Sequence, residues 1–154
     1  MSRQAIINIA ASQLGTKESP PGSNKTKYGE WYGENGVKWC AIFVSWVFNE
    51  AGCPLGKIDS PKGYSSCQNG YEHWKKTGEL TAKPQMGDIV LFDWNEDGHC
   101  DHTGIFYQWI EEGKSFHSYE GNTSVGSESD GGAVMLRTRN MKYVHAFASP
   151  KVIK

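Results

Sequence analysis

The stretch VKWCAIFVSWVFNEAG, residues 37–52, constrains the fold more than any other. It is apolar nearly all round the helical repeat and stops at Gly52, so a helix built from it has no face suited to water. The rest of the chain has to enclose that helix, and 154 residues are enough for one domain to do so without disulfide staples. The C-terminal half of the chain decides the class. From residue 86 the hydrophobic period becomes that of strands. GDIVLFD (87–93), HTGIFYQWI (102–110), KSFHSYE (114–120), AVMLRTR (133–139) and YVHAFAS (143–149) alternate with turn residues. Helices first and strands joined by short turns second predict an α+β domain with an antiparallel sheet.

Two more helices are expected ahead of the sheet. Residues 2–14 carry Ile6, Ile9, Ala10 and Leu14 on one face, with Ser2 as cap and Gly15 as stop. Residues 64–77 form a more polar helix that ends at Gly78. Between the first and the central helix, residues 16–38 hold two prolines and four glycines and read as a long surface loop, with one helical turn near Tyr28–Trp31. There is no internal repeat and no linker, so residues 1–154 are expected to form a single domain that acts as a monomer.

Composition removes several function classes. The formal net charge is −1 and Lys and Arg are scattered, with no basic stripe for nucleic acid. No run approaches the ~18 apolar residues of a membrane span. The first twenty residues lack a basic start followed by an apolar run, so synthesis in the cytoplasm without a secretory signal is expected. Cys40, Cys53, Cys67 and Cys100 are then expected to be reduced and separately employed.

Cys40 is the candidate nucleophile. It stands at the first turn of the buried helix, where unpaired N–H groups and the helix dipole favour a thiolate. Cys53 follows a helix end and Cys67 sits in a polar helix, so neither has that setting. A cysteine nucleophile needs a histidine within hydrogen-bond reach and a third group to hold that histidine. The three-residue connection Glu111–Glu112–Gly113 fits a hairpin with Gly at the left-handed position. Pairing across it sets Ile110 opposite Lys114 and His102 opposite Asn122, with Glu120 diagonal to His102 and on the same face. His102 is therefore the candidate base, and Glu120 and Asn122 the candidate orienting groups. The N–H of Cys40 is one oxyanion donor, and a second would come from Asn35 or Lys38.

The segment before His102 is a candidate metal loop. Asp93, Asn95, Asp97, Gly98 and Asp101 match the D-x-N-x-D-G-x-x-D spacing of a calcium loop, with the His99 carbonyl as a further ligand. Its last position is Gly104, so the bidentate carboxylate is missing. The competing reading is an acidic turn closed by Asx-type hydrogen bonds. Zinc is disfavoured, because Cys100-x-His102 lacks a second ligand pair and would consume the base. Trp39, Trp94 and Tyr119 adjoin these motifs and either line a cleft or pack beside it.

KWCAIFVSWVFNEAG, GDIVLFDWNEDGHCDHTGIF and YEGN, in that order, resemble the CHAP family, the cysteine, histidine-dependent amidohydrolases/peptidases. The resemblance runs from about residue 5 to residue 149. It implies a papain-like α+β fold and cleavage of an amide bond in bacterial peptidoglycan, as a muramoyl-alanine amidase or an endopeptidase. It implies the same catalytic set, Cys40, His102, Glu120 and Asn122, and no organic cofactor. A phage endolysin that reaches the wall through a holin is the role it implies first. A bacterial cell-wall hydrolase, or a thiol amidase acting on a non-wall amide, is the alternative.

Overall fold

The computed structural model describes residues 2–123 and 132–153. Four α-helices precede a six-stranded antiparallel sheet, the α+β arrangement expected. Helix α1 (Ser2–Ser12) buries Ile6, Ile7 and Ala10. Leu14, expected on that face, lies beyond the helix end and is 46% exposed. The helical turn expected in the long loop is α2 (Lys27–Tyr32), where the Thr26 side chain accepts a hydrogen bond from Gly29 N–H.

The central helix is α3 (Cys40–Glu50), with eight of its eleven residues buried. Phe43, Val44, Val47 and Phe48 are fully enclosed. Burial of each large apolar side chain contributes roughly 1.5–3 kcal/mol, so packing rather than capping holds this helix. Helix α4 (Cys67–Thr77) is capped by the Ser66 hydroxyl and anchored by the buried Trp74.

Strands β1 (Leu80–Thr81), β2 (Ile89–Phe92), β3 (His102–Glu111), β4 (Ser115–Thr123), β5 (Ala133–Asn140) and β6 (Val144–Ala148) stand in the order β1-β6-β2-β3-β4-β5. The two-residue β1 is too short to leave a periodic signal and was not among the strands expected from sequence. All four residues of β2 are buried because both sheet faces are covered there. Ile89 and Leu91 face the helical core, while Val90 and Phe92 join Phe106, Phe116 and Phe147 in a second cluster on the far face.

The β3–β4 hairpin turns one residue later than expected. Glu111 pairs with Ser115, and Gly113 takes the left-handed conformation with φ of 76°. Two irregularities in β3 then each absorb one extra residue, Ile110 and Tyr107. Beyond them Phe106 pairs with Ser118 and Ile105 with Tyr119, which is the predicted register. Bulges bend a strand and re-aim its side chains, and here they compensate for the displaced turn before the strand reaches His102.

Candidate active site

Cys40 opens α3. The residue before it, Trp39, supplies no side-chain cap, so the first N–H groups of the helix are left to other acceptors. The Cys40 sulfur takes that place: the N–H groups of Ala41 and Thr103 both stabilise its thiolate. Trp39 itself is fully buried, stacked on Tyr28 and donating from Nε1 to Glu18 Oε2 at 3.2 Å. It belongs to the core and lines no cleft.

His102 is the first residue of β3 and is fully buried. Its Nε2 lies 2.8 Å from Glu120 Oε1, and Glu120 is fully buried as well. An ionised carboxylate only accepts, so Nε2 carries the hydrogen. That tautomer leaves Nδ1 free to take a proton from the Cys40 thiol, which is close enough to the ring to raise its pKa. Nδ1 has no hydrogen-bond partner among the described residues, so it is open to that proton.

The electrostatics of the three groups are mutually consistent. Burial pushes the Cys40 thiol up, but the neighbouring His102, with the two N–H groups, holds it below the ordinary thiol value. Burial pushes His102 down, yet the charge and hydrogen bond of Glu120, with the Cys40 thiol nearby, raise it to about 9. Burial pushes Glu120 up, and Arg139 and His102 together hold it below the usual carboxylate range. Near neutral pH this favours a thiolate beside an imidazolium, with a carboxylate behind.

Arg139 is the member that sequence reasoning missed. Its Nε donates to Glu120 Oε2 at 2.9 Å and its Nη2 to Oε1 at 2.6 Å. Its guanidinium lies 4.7 Å from the ring centroid of Trp94, whose indole stacks on His102 at 5.8 Å and 27°. His102, Glu120 and Arg139 share the sheet face of the phenylalanine cluster, since Phe92 pairs with His102 and Phe116 with Arg139. A second missed residue is Gly104. A Cβ there would stand 2.6 Å from Glu120 Cγ and 2.6 Å from Ser118 Oγ, so its absence lets Glu120 cross β3 toward His102. A glycine inside a strand is the available signal for such a close approach. Tyr64 is also buried against the site, its hydroxyl 2.8 Å from Thr103 Oγ1.

Asn122, expected to orient His102, is placed otherwise. It is fully buried with φ of 57°, and its Oδ1 accepts from Gly132 N–H at 3.3 Å. Its Nδ2 has no partner among the described residues. The expected Asn122–His102 pairing is absent because the described β3–β4 ladder begins at Ile105–Tyr119. Asn35, a candidate oxyanion donor, uses its side-chain oxygen to accept from Thr26 and Gly36 N–H within its own loop.

The acidic turn brings together Asp93, Asp97 and Asp101, with one oxygen of each within 4.8 Å of the others. Asn95 and His99 of the same turn are exposed. Each carboxylate also closes the turn. Asp93 accepts from Asp97 and Gly98 N–H, Asp97 from His99 N–H, and Asp101 from Trp94 N–H. The Asx-type bonds of the competing reading are thus present, and three carboxylate oxygens converge in the same turn. Gly104 is buried in β3 and adds no ligand.

The remaining cysteines are free and buried, with burial raising each thiol. Cys67 Sγ donates to the Cys100 carbonyl at 3.1 Å and ties α4 to the acidic turn. An open cavity of about 470 Å³ is lined by Lys38, Trp94, Asn95, Cys100 and Asp101.

A thiol at an uncapped helix start, an imidazole beside it and an antiparallel sheet behind define the papain-like class of α+β proteins. Within that class the chain belongs to the CHAP family, cell-wall amidases and peptidases: the CHAP domain matches residues 31–122, which span Cys40, His102, Glu120 and Asn122. Among solved structures, an NLP/P60 family protein described as similar to lipoprotein, from Staphylococcus aureus subsp. aureus Mu50, has the same fold. It is 14% identical over 97% of this chain and 41% of its own, with a TM-score of 0.52. NlpC2 from Trichomonas vaginalis is 15% identical over 97% of this chain and 46% of its own, with a TM-score of 0.48. The chain thus spans less than half the length of either structure. No curated protein matches it in sequence.

Proposed function

We propose that this domain hydrolyses an amide bond of bacterial peptidoglycan by thiol catalysis, as an endopeptidase or N-acetylmuramoyl-L-alanine amidase of the endolysin kind. The observation that carries the reading is the buried line from Cys40 through His102 to Glu120. In it, the Cys40 thiolate attacks the carbonyl carbon, and the N–H of Cys40 stabilises the oxyanion. The His102 imidazolium gives its Nδ1 proton to the leaving nitrogen as the C–N bond breaks. A thioester and a free amine result. Water then attacks the thioester, His102 takes its proton, and acid and thiol are released. Glu120 holds the imidazole throughout. Asn122 supports the end of β4 through Gly132. The polar cavity beside Trp94 suits a stem peptide, whose own groups are polar and charged. An endolysin of this kind would reach the wall through a holin lesion and act there as a monomer.

Calcium has a structural part in this reading, held by Asp93, Asp97 and Asp101, with Asn95 and the His99 carbonyl nearby in the loop. Its support is the convergence of three carboxylates. The bond from Trp94 N–H to Asp101 links that turn to the indole stacked on His102. A bound ion would supply charge that stiffens the turn; the chemistry stays with Cys40 and His102.

The test is clearing of purified cell walls, with new amino termini identified by mass spectrometry. Wild-type protein should clear walls and free one kind of amine, and Cys40→Ala should do neither. Clearing that survives Cys40→Ala refutes the mechanism. Cleavage of soluble amides with walls left intact moves the substrate away from peptidoglycan.

A further inference from the structure

We infer that Arg139 is a positioning residue of the hydrolytic site, fixing both the carboxylate that holds His102 and the indole that covers it. The inference rests on the reading that Cys40 and His102 perform the chemistry.

The geometry has two arms. In the first, Glu120 is fully buried and its Oε1 already serves His102. A buried carboxylate needs its charge paired and its remaining lone pairs filled. Arg139 does both with a two-pronged contact, Nε to Oε2 and Nη2 to Oε1. A planar fork on a carboxylate fixes the plane of the acid, which a single bond does not. The plane of Glu120 in turn sets the direction from which Oε1 meets Nε2 of His102.

In the second arm, the guanidinium lies over Trp94. The Trp94 Nε1 is buried and has no hydrogen-bond partner among the described residues, so no polar anchor holds this indole. Stacking holds it: Arg139 at 4.7 Å, Phe92 at 4.7 Å and His102 at 5.8 Å between centres. One side chain therefore braces the imidazole from the carboxylate edge and from the indole face. Arg139 is itself only 9% exposed, so it is built into the site, and what surface it keeps lies on a cavity of about 410 Å³ that Trp94 and Tyr143 also line.

A merely structural Arg139 would lower stability without a specific link to Glu120, and the reactivity of Cys40 separates the two roles. The rate of Cys40 alkylation by iodoacetamide at pH 7 is measured by mass spectrometry of the Cys40 peptide, using the full chain. Wall clearing and melting temperature are measured on the same samples. Arg139→Met should slow both alkylation and clearing by roughly tenfold or more. Arg139→Lys should recover only part, because an ammonium cannot form the fork. In a Glu120→Gln background, adding Arg139→Met should cost less than about threefold, since the two residues act as one unit. Wild-type alkylation in Arg139→Met overturns the inference. So does an equal loss in both backgrounds. If Arg139→Met does not fold, the Lys variant and the Glu120→Gln/Arg139→Met pair give the answer, because the pair removes both buried charges together. Clearing by Cys40→Ala would sink the functional reading, whereas unchanged Cys40 reactivity in the Arg139 variants sinks this inference alone.

Discussion

Glu120 shows how much one buried carboxylate can set. Its charge is the leading influence that raises His102 to about 9, against burial that alone would lower it. Activity should therefore persist through neutral pH and fall on the alkaline side as the imidazolium loses its proton near pH 9. Glu120→Gln removes the raising charge and leaves the burial, so the alkaline limb should move to lower pH. A pH–rate profile of wall clearing for the two proteins checks this, and an unmoved limb contradicts it. The sign for stability is parallel. A histidine raised on folding contributes stability that is complete below about pH 6.5 and lost as pH rises through about 9. The pairing of His102 with Glu120 was legible in the sequence, because a hairpin fixes which residues share a face. Asn122 was misplaced by the same reasoning, since the ladder does not extend that far. Arg139 was hidden for a different reason. The long connection before β5 fixes no register, so nothing in the order of residues puts position 139 beside position 120.

At the level of elements, the all-apolar α3 was the clearest signal in the chain, and its burial comes directly from having no polar face. Its fit against β4 depends on a detail that periodicity does not carry. A Cβ at Gly121 would lie 2.8 Å from Phe43 Cβ and 2.9 Å from Trp39 Cζ3, so the strand can press on the helix only because that carbon is missing. Gly121→Ala should thus overpack the contact and cost about 1–3 kcal/mol. For a domain of this size, that lowers the melting temperature by roughly 2–4 °C per kcal/mol, measurable by calorimetry. An unchanged melting temperature would mean that the helix and strand are free to separate. The β3–β4 hairpin differs from expectation for a related reason. Turn residues located it to within one position, but the bulges at Tyr107 and Ile110 have no marker in the sequence, because they accommodate the three-dimensional bend of the sheet.

For the whole molecule, the α+β class and the helix-then-sheet order come from the change of period at residue 86. The acidic turn sits between the sheet and the site, so occupancy there should register in global stability. At a calcium concentration about 100 times the dissociation constant, binding would add about 2.7 kcal/mol. The melting temperature should therefore rise with calcium and fall with a chelator, and Asp97→Ala should remove the difference. Equal melting curves with calcium and with chelator would leave the turn to its Asx bonds alone. The stack of Trp94 on His102 has an optical consequence. An imidazolium close beside an excited indole accepts an electron from it and quenches its emission, whereas a neutral imidazole does so poorly. Trp94 is then a built-in fluorophore that reads the charge of its neighbour. Emission should brighten as pH crosses about 9, and Trp94→Phe should erase that step, so the protonation state of the base can be followed by light with no substrate present.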